Sequence, residues 1–186
     1  MEFQSRRLLF REFEPGDYAN FSSVFSNELV MRYAHMDLIT KEAAMRSYFD
    51  KVLQNNVAEK DRMAYEFAVF TITEPCFIGF ADIDLEVGNP LGTEGNIGYF
   101  LLPDFWGKGY ATEMASALLD FFFPRLRLQK ITAWCNAENH ASERVMQKAG
   151  MKKEGELHNA RFKHGRWYNE LQYGISYQTW LQRHKS

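Results

Sequence analysis

Apolar positions along the chain recur with two periods, one typical of strands and one typical of helices. Short apolar runs bounded by glycine, proline, asparagine or aspartate predict strands, whereas apolar residues three or four positions apart predict helices. The predicted strands cover residues 7–13, 65–71, 76–86, 96–102, 130–135, 151–157 and 168–176. The predicted helices cover residues 18–25, 40–55, 110–123, 139–149 and a short segment that ends near residue 184. This order predicts a mixed α/β fold, with about seven strands and four or five helices in one domain over residues 1–186.

Several helix ends are marked by particular residues. Asp17 and Thr40 are good N-terminal capping residues, and Glu42 favours the positive end of the helix that follows Thr40. Pro124 is expected to stop the helix that starts at residue 110, because proline lacks a backbone N–H. Gly150 is expected to cap the end of the helix before it.

The composition is that of one globular domain with many aromatic residues. The chain has 186 residues, of which 46% are hydrophobic and 25% are charged, close to the averages for soluble domains. Aromatic residues reach 16%, with sixteen phenylalanines. This excess predicts a core of large rings, and a cleft lined by aromatic residues is the alternative.

Charge and motif content argue against several function classes. The net charge of −2 and a pI of about 6.2 give no overall electrostatic case for nucleic-acid binding. Cys76 and Cys135 lie too far apart for a zinc or disulfide motif, and the histidines show no metal-binding spacing. No apolar run approaches the roughly 18 residues of a membrane span, and the first residues lack signal-peptide features. We expect no nucleic-acid, metal or membrane partner and a cytoplasmic location.

Two stretches are rich in turn-forming residues. Residues 87–95 are predicted to be a loop. Residues 106–113 follow a predicted strand and open a predicted helix, and they include Gly107 and Gly109. Backbone N–H groups at a helix start lack intrahelical partners and carry partial positive charge, so this turn suits a pyrophosphate. The string matches neither a P-loop nor a complete dinucleotide-binding fingerprint, and a tight turn without a ligand is the alternative.

The segment from Trp106 to Ala111 resembles motif A of the GNAT acetyltransferase superfamily, Gln/Arg-x-x-Gly-x-Gly/Ala. A block at 139–151 is similar to the NxxS…KxGF helix of the subgroup that acetylates the N-termini of ribosomal proteins. Residues 155–169, 96–99 and 7–11 also resemble that subgroup. Ordered blocks at the expected separations are more specific than the two glycines, and the resemblance spans nearly the whole chain.

The resemblance implies a central splayed, mostly antiparallel sheet with acetyl-CoA as the co-substrate. A V-shaped slot beside the strand at 96–102 would hold the pantetheine arm, and the glycine turn would hold the pyrophosphate. The implied cofactor-binding residues are Tyr99, Phe100, Leu101, Leu102, Trp106, Gly107, Lys108, Gly109, Tyr110, Ala111, Thr112, Asn139 and Ser142. Besides Ser142, which is considered with the catalytic positions, three of them have alternatives. These are Lys108 as a solvated side chain, Tyr110 as a ring packed on the sheet, and Asn139 as an N-cap.

The catalytic positions depart in part from the subgroup. Its usual strand carboxylate is replaced by Asn96, which cannot act as a base. Glu94, two residues earlier, would share a face with Asn96 in a regular strand and could relay a proton through water, or it is an exposed loop-end carboxylate. Ser142 matches the position proposed to face the leaving sulfur, and a serine that bonds the backbone is the alternative. Trp106 stands where the broad family has Gln or Arg, and Met151 replaces the usual Phe.

The strength of the general base that the reaction needs depends on the pKa of the acceptor amine. A protein α-amine has a pKa of about 7.7–8.0, whereas a lysine side chain has one near 10.4, so an α-amine needs only a weak base. The leading prediction is N-acetyl transfer to a protein N-terminal α-amine of the ribosomal-protein type. A polyamine, amino acid or aminoglycoside is the alternative, because Asp82, Asp84 and Glu86 alternate on one face of a strand. An acetyl-CoA-binding module with little turnover and a nucleotide-binding protein are further alternatives.

The segment between the last two predicted strands is expected to be a surface loop. It contains His158, Arg161, His164 and Trp167, which under the family resemblance would lie near the acceptor. A monomer and a homodimer both stay open.

Overall fold

A computed structural model describes residues 1–58, 62–86 and 93–185, and its centre is one eight-stranded sheet. The strands are β1 (Glu2–Gln4), β2 (Leu8–Glu12), β3 (Ala64–Thr71), β4 (Phe77–Glu86), β5 (Glu94–Leu101), β6 (Lys130–Asn136), β7 (Lys152–Lys163) and β8 (Arg166–Ser176). The helices are α1 (Tyr18–Phe25), α2 (Glu28–Met31), α3 (Glu42–Asn56), α4 (Tyr110–Leu126), α5 (His140–Lys148) and α6 (Tyr177–His184). The strand order is β1-β2-β3-β4-β5-β6-β8-β7. The predicted mixed α/β class is confirmed.

The strand that the sequence pattern missed is β1. It has three residues and pairs only with β2, with Phe3 opposite Phe10. The Phe3 ring stacks on the rings of Phe10 and Phe121, with centroids 4.5 and 4.0 Å apart. Three residues are too few to show an alternating pattern, so only these tertiary contacts define the strand.

Helices cover both faces of the sheet and bury large rings against it. The helix α4 packs on one face through residues such as Met114, Leu118 and Phe122. The helices α1 and α3 pack on the other face, where Phe21 and Phe49 meet the strands. The predicted aromatic core is confirmed. Its fully buried rings are Phe10, Phe21, Phe25, Phe67, Phe80, Phe122 and Phe123.

The two predicted N-terminal caps do not act as caps. The N-cap position of α3 is Lys41, and Thr40 lies in the loop before it, next to Ile39, whose N–H donates to Phe25 O at 3.0 Å. Asp17 does occupy the N-cap position of α1, but its carboxylate accepts hydrogen bonds from the Arg11 guanidinium rather than from the helix. A side chain outside the helix therefore displaced the predicted cap at Asp17.

Of the two predicted helix ends, that of α4 differs from the prediction and that of α5 agrees with it. The helix α4 continues through Pro124 to Leu126 and ends at Arg127, whose φ is 53°. The proline removes the hydrogen bond to the carbonyl of Asp120, and that residue is exposed to solvent. Gly150, with φ of 90°, has the conformation expected of a C-terminal cap.

The segment predicted as a surface loop is instead a strand hairpin. The strand β7 extends to Lys163, and β8 begins at Arg166, so the turn is only His164 and Gly165. Both turn residues have positive φ, 51° and 78°, which matches a tight hairpin connection. In the predicted loop 87–95, Glu94 and Gly95 belong to β5, and residues 87–92 lie outside the described residues.

The sheet opens between β5 and β6. These two strands are parallel and pair only from Glu94–Asn96 to Lys130–Thr132. Beyond this short ladder β5 continues to Leu101 and β6 to Asn136 without pairing to each other. The splayed, mostly antiparallel sheet is therefore confirmed, and we call the opening the fork. No helix in the described part of the chain has the length and apolarity of a membrane span.

Candidate active site

The edge of β5 beyond Asn96 forms one side of the fork. Its unpaired backbone groups can bind an extended ligand, as exposed strand edges do. The Phe100 side chain lies on the face of the sheet that α1 and α3 cover, with its ring centroid 5.6 Å from that of Phe25 and 6.0 Å from that of Phe80. Only the Phe100 backbone is therefore available at the fork. Leu102 has its N–H committed to Ile78 O at 2.9 Å.

Three polar side chains meet where β5 faces the start of α5. The Tyr99 hydroxyl lies 2.9 Å from Ser142 Oγ and donates to Ser142 O at 3.2 Å. Burial raises the Tyr99 pKa above its ordinary range. Burial and the nearby Glu143 carboxylate raise the pKa of the Cys135 thiol to about 12, although a hydrogen bond with Ser142 opposes this shift. Tyr99 and Cys135 are therefore protonated near neutral pH, and the group can donate hydrogen bonds.

The start of α5 is held by its own N-cap. Asn139 Oδ1 accepts a hydrogen bond from the Ser142 N–H at 3.1 Å. The N-cap reading of Asn139 is confirmed by this bond, which also fixes the direction of the first helical turn. A contact of Asn139 or Ser142 with acetyl-CoA stays a prediction.

The glycine turn leads directly into α4. Gly107 and Gly109 have φ of 74° and 81°, which favour glycine. Gly109 occupies the N-cap position, so no side chain caps the first N–H groups of α4. The Trp106 indole N–H donates to Leu101 O at 2.7 Å and ties the turn to the end of β5. Lys108 is exposed, with its ammonium 5.4 Å from the centroid of the Phe105 ring.

An arginine that the site prediction omitted clasps this turn. The Arg7 guanidinium donates to Lys108 O at 3.1 Å and lies 4.4 Å above the Tyr110 ring. Its Nε and its backbone N–H each donate to Glu113 at 2.7 Å. A permanent positive charge therefore adjoins the uncapped start of α4, where Ala111 and Thr112 are half-buried. The sequence placed Arg7 in a family-like block but offered no signal that connects it to a turn 100 residues away.

The other face of the sheet at the fork is polar. Asn96 Nδ2 donates to Thr132 Oγ1 at 2.9 Å, so the Asn96 amide joins β5 to β6 where their pairing ends. Asp84 is the residue directly opposite Asn96 on β4. Glu94 begins β5 and lies opposite Glu86 on β4 and Lys130 on β6.

Glu66, Asp82 and Asp84 form an acidic cluster on this face. Glu66 and Asp82 are direct partners across β3 and β4. Glu66 is 6% exposed, and its Oε2, like Asp82 Oδ1, is buried without a hydrogen-bond partner. Burial raises the pKa of Glu66 to about 7. Burial, followed by the charges of Asp84 and Glu66, raises the pKa of Asp82 well above its ordinary value. Burial also raises that of Asp84, against the opposing charges of Lys51 and His35.

The hairpin of β7 and β8 and the loop after α2 enclose a cavity of about 240 Å³. Lys163 Nζ donates to three loop carbonyls, those of Met31, Ala34 and Met36, at 2.8, 2.7 and 2.9 Å. The cavity lining includes His35, Asn136, Arg161, Phe162 and Tyr168. The ring of His35 also lies 6.2 Å from that of Trp134 on β6. The structure thus places the hairpin beside the polar face of the fork rather than in a separate surface loop.

Residues 7–152 match the family model described as an acetyltransferase (GNAT) domain. The chain belongs to the GNAT acetyltransferase family. An uncharacterized N-acetyltransferase from Bacillus subtilis, YnaD, is 34% identical over 180 residues, which are 97% of this chain and 99% of that protein. The chain is accordingly an N-acetyltransferase, and its co-substrate is acetyl-CoA.

Two solved structures share the fold at lower identity. The spermidine N-acetyltransferase from Vibrio cholerae, in complex with CoA and spermine, has a TM-score of 0.82 at 21% identity and covers 95% of this chain and 99% of its own. The ribosomal-protein-S5-alanine acetyltransferase from Vibrio fischeri has a TM-score of 0.79 at 22% identity, with coverages of 97% and 98%. The two neighbours differ in acceptor, so the fold alone leaves the acceptor of this chain open.

Proposed function

We propose that this N-acetyltransferase acetylates the α-amine of a protein N-terminus of the ribosomal-protein type. The observation that carries the proposal is an exposed aromatic pair at the tip of the β7–β8 hairpin. Phe162 and Trp167 are 63% and 59% exposed, and their ring centroids are 5.4 Å apart. Phe162 also lines the cavity beside the fork. Exposed aromatic surface of this kind is typical of contacts with a polypeptide.

The hydrogen-bonded amide of Asn96 favours an α-amine over a lysine side chain as the acceptor. Its amide is bonded to Thr132 and cannot take a proton. About a tenth of an α-amine is neutral at pH 7, against about one in a few thousand for lysine. An α-amine can therefore attack without a strong base at this position.

The geometry at the fork supports the further roles that we propose. Acetyl-CoA supplies an activated acetyl group as a thioester. The uncapped start of α4, with Gly107, Gly109 and the Arg7 guanidinium, provides positive potential for the pyrophosphate. A backbone N–H on the free edge of β5 would stabilise negative charge on the acetyl oxygen. When the Tyr99 hydroxyl donates its proton to Ser142 Oγ, the Ser142 hydroxyl would be able to donate a hydrogen bond to the departing sulfur.

A small polycationic amine is the second candidate acceptor. The acidic cluster on the polar face favours it, because the carboxylate of its exposed member, Asp84, would attract positive charge. The spermidine N-acetyltransferase of Vibrio cholerae shares the fold. The two candidates differ in what they need: a peptide would use the hairpin aromatics, whereas a polyamine would use the cluster alone.

A panel of acceptors tests the proposal by following thiol release from acetyl-CoA. We expect turnover of peptides with free N-termini, and much slower turnover of N-terminally blocked peptides whose only amine is lysine. The double substitution Phe162→Ala and Trp167→Ala should raise KM for free-N-terminus peptides roughly tenfold and leave spermidine turnover unchanged. Val57→Ala is the matched control, because Val57 is an exposed apolar residue at the end of α3.

Other outcomes of the panel separate the alternatives. Turnover of spermidine without turnover of peptides would favour the second candidate. CoA binding without thiol release from any acceptor would overturn both and indicate a binding module.

A further inference from the structure

One carboxylate lies directly across the sheet from the position that lacks one. Asp84 on β4 and Asn96 on β5 are register partners, so their side chains share a face, with Cβ atoms about 5 Å apart. Asn96 is also the last β5 residue that pairs with β6. Asp84 therefore stands beside the point where the fork opens, on the face that carries the cavity and Trp134.

Asp84 is solvent-exposed, unlike its acidic neighbours. Glu66 Oε2 and Asp82 Oδ1 are buried, so neither atom can meet a ligand without rearrangement of the chain. Glu94 starts β5 two residues before the fork opens. Among the described carboxylates at the fork, Asp84 is thus both exposed to solvent and close to the point where β5 and β6 separate.

Charged and titratable groups face Asp84 from several elements. Lys51 approaches from α3 and His35 from the loop after α2, and both favour the ionised form of Asp84. Asp82 on the same strand, Glu66 on β3 and Tyr48 on α3 also lie within electrostatic range of Asp84. Partial desolvation of the Asp84 carboxylate by the groups around it outweighs the attraction of Lys51 and His35, so the pKa of Asp84 is raised and is closer to neutral pH than that of an ordinary aspartate. Burial and the charge of Arg161 lower the pKa of His35 itself.

We propose that Asp84 accepts the proton that the acceptor amine loses during acetyl transfer, directly or across one solvent molecule. The inference rests on the proposed function. As the C–N bond forms, the nitrogen becomes cationic and releases one proton to the Asp84 carboxylate. The C–S bond breaks, and CoA leaves as a thiolate, whose parent thiol has a pKa of about 8.5. Asp84 then returns the proton to solvent, so the carboxylate is regenerated.

The test compares Asp84→Asn with the wild type on whichever acceptor the wild type turns over. We expect kcat/KM to fall about 100-fold or more, while the affinity for CoA stays the same. The ionisation of Asp84 should disappear from the acidic limb of the pH–rate profile, which should then show only the ionisation of the acceptor amine. Asp84→Glu restores a carboxylate and should retain that limb with intermediate activity. Asp50→Asn makes the same chemical change on an exposed part of α3 and should leave the rate within about twofold.

Two outcomes would overturn the assignment of Asp84. One is wild-type activity with an unchanged pH profile in Asp84→Asn. The other is equal loss in Asp84→Asn and Asp84→Glu together with weaker CoA binding, which would indicate a structural role. Failure of the proposed acceptor is distinguishable, because it changes which amine the wild type acetylates rather than the ratio of the two variants on that amine.

Discussion

The Tyr99 hydroxyl lies 2.9 Å from Ser142 Oγ, and this contact joins β5 to the start of α5 across the fork. Burial keeps the Tyr99 hydroxyl protonated, since it raises its pKa. The N–H of Ser142 is held at the same time by Asn139. The serine hydroxyl is therefore fixed in direction from two sides before any substrate binds, which is how hydrogen-bond donors are preorganised.

Substitution of Tyr99 by phenylalanine should slow turnover. The ring is retained, but the Ser142 hydroxyl loses its partner, and one hydrogen bond of about 1 kcal/mol corresponds to roughly a fivefold decrease in kcat. Steady-state kinetics with acetyl-CoA would show this decrease, with KM for acetyl-CoA nearly unchanged. Unaltered kcat in Tyr99→Phe would argue against a role of this pair in catalysis.

Substitution of Glu113 by glutamine should weaken CoA binding through Arg7. The Glu113 carboxylate accepts from the Ser5 hydroxyl and from two donors of Arg7, and the change leaves these donors poorly matched. We expect a loss of about 1–2 kcal/mol in CoA affinity, about 5- to 30-fold in Kd, by isothermal titration calorimetry. Arg46→Ala, which breaks the exposed pair with Glu42, should leave CoA affinity unchanged. Equal CoA affinities in the wild type, Glu113→Gln and Arg46→Ala would contradict a role of the Arg7–Glu113 contacts in CoA binding.

The stability of the fold should depend on pH through Glu66. Its pKa is about 7 in the fold against an ordinary value of 4.5, so the folded state binds the extra proton. The contribution of protonated Glu66 to the free energy of unfolding is fully present below pH 4.5 and is lost as the pH rises through about 7. The whole contribution is about 3 kcal/mol. In urea unfolding, the advantage of Glu66→Gln over the wild type should grow between pH 5 and pH 8. A constant difference across this range would show that Glu66 ionises normally. Glu28→Gln, an exposed change, is the control.

Substitution of Lys163 by methionine should loosen the loop that borders the cavity. The Lys163 ammonium donates to three carbonyls of this loop, and methionine retains the apolar stem without the donors. We expect KM for the acceptor to rise severalfold while CoA affinity is unchanged. The control is Lys152→Met, an exposed position at the other end of β7. If Lys152→Met changed kcat and the acceptor KM by as much as Lys163→Met does, the effect would be a general one on β7 and not one on the loop.

Short-range chemistry explains which features could be predicted from the sequence. The glycine turn before α4 and the N-cap of α5 depend on residues within a few positions of one another, because a side chain or a backbone N–H can reach only that far along the chain. The aromatic core followed from composition and period. A local signal failed where another partner competed for the same group, as the Arg11 guanidinium does for the Asp17 carboxylate.

The sequence by itself determined the α/β order of elements, the position of the glycine turn and the amide at position 96. Only the tertiary structure decided which residues far apart in the sequence come into contact. Tyr99 reaches Ser142 across 43 residues, Arg7 reaches Glu113 across 106, and Asp84 faces Asn96 because of the register of β4 and β5. A shift of one residue in that register would turn every side chain of a strand to the other face, and long-range packing of the whole sheet selects the register.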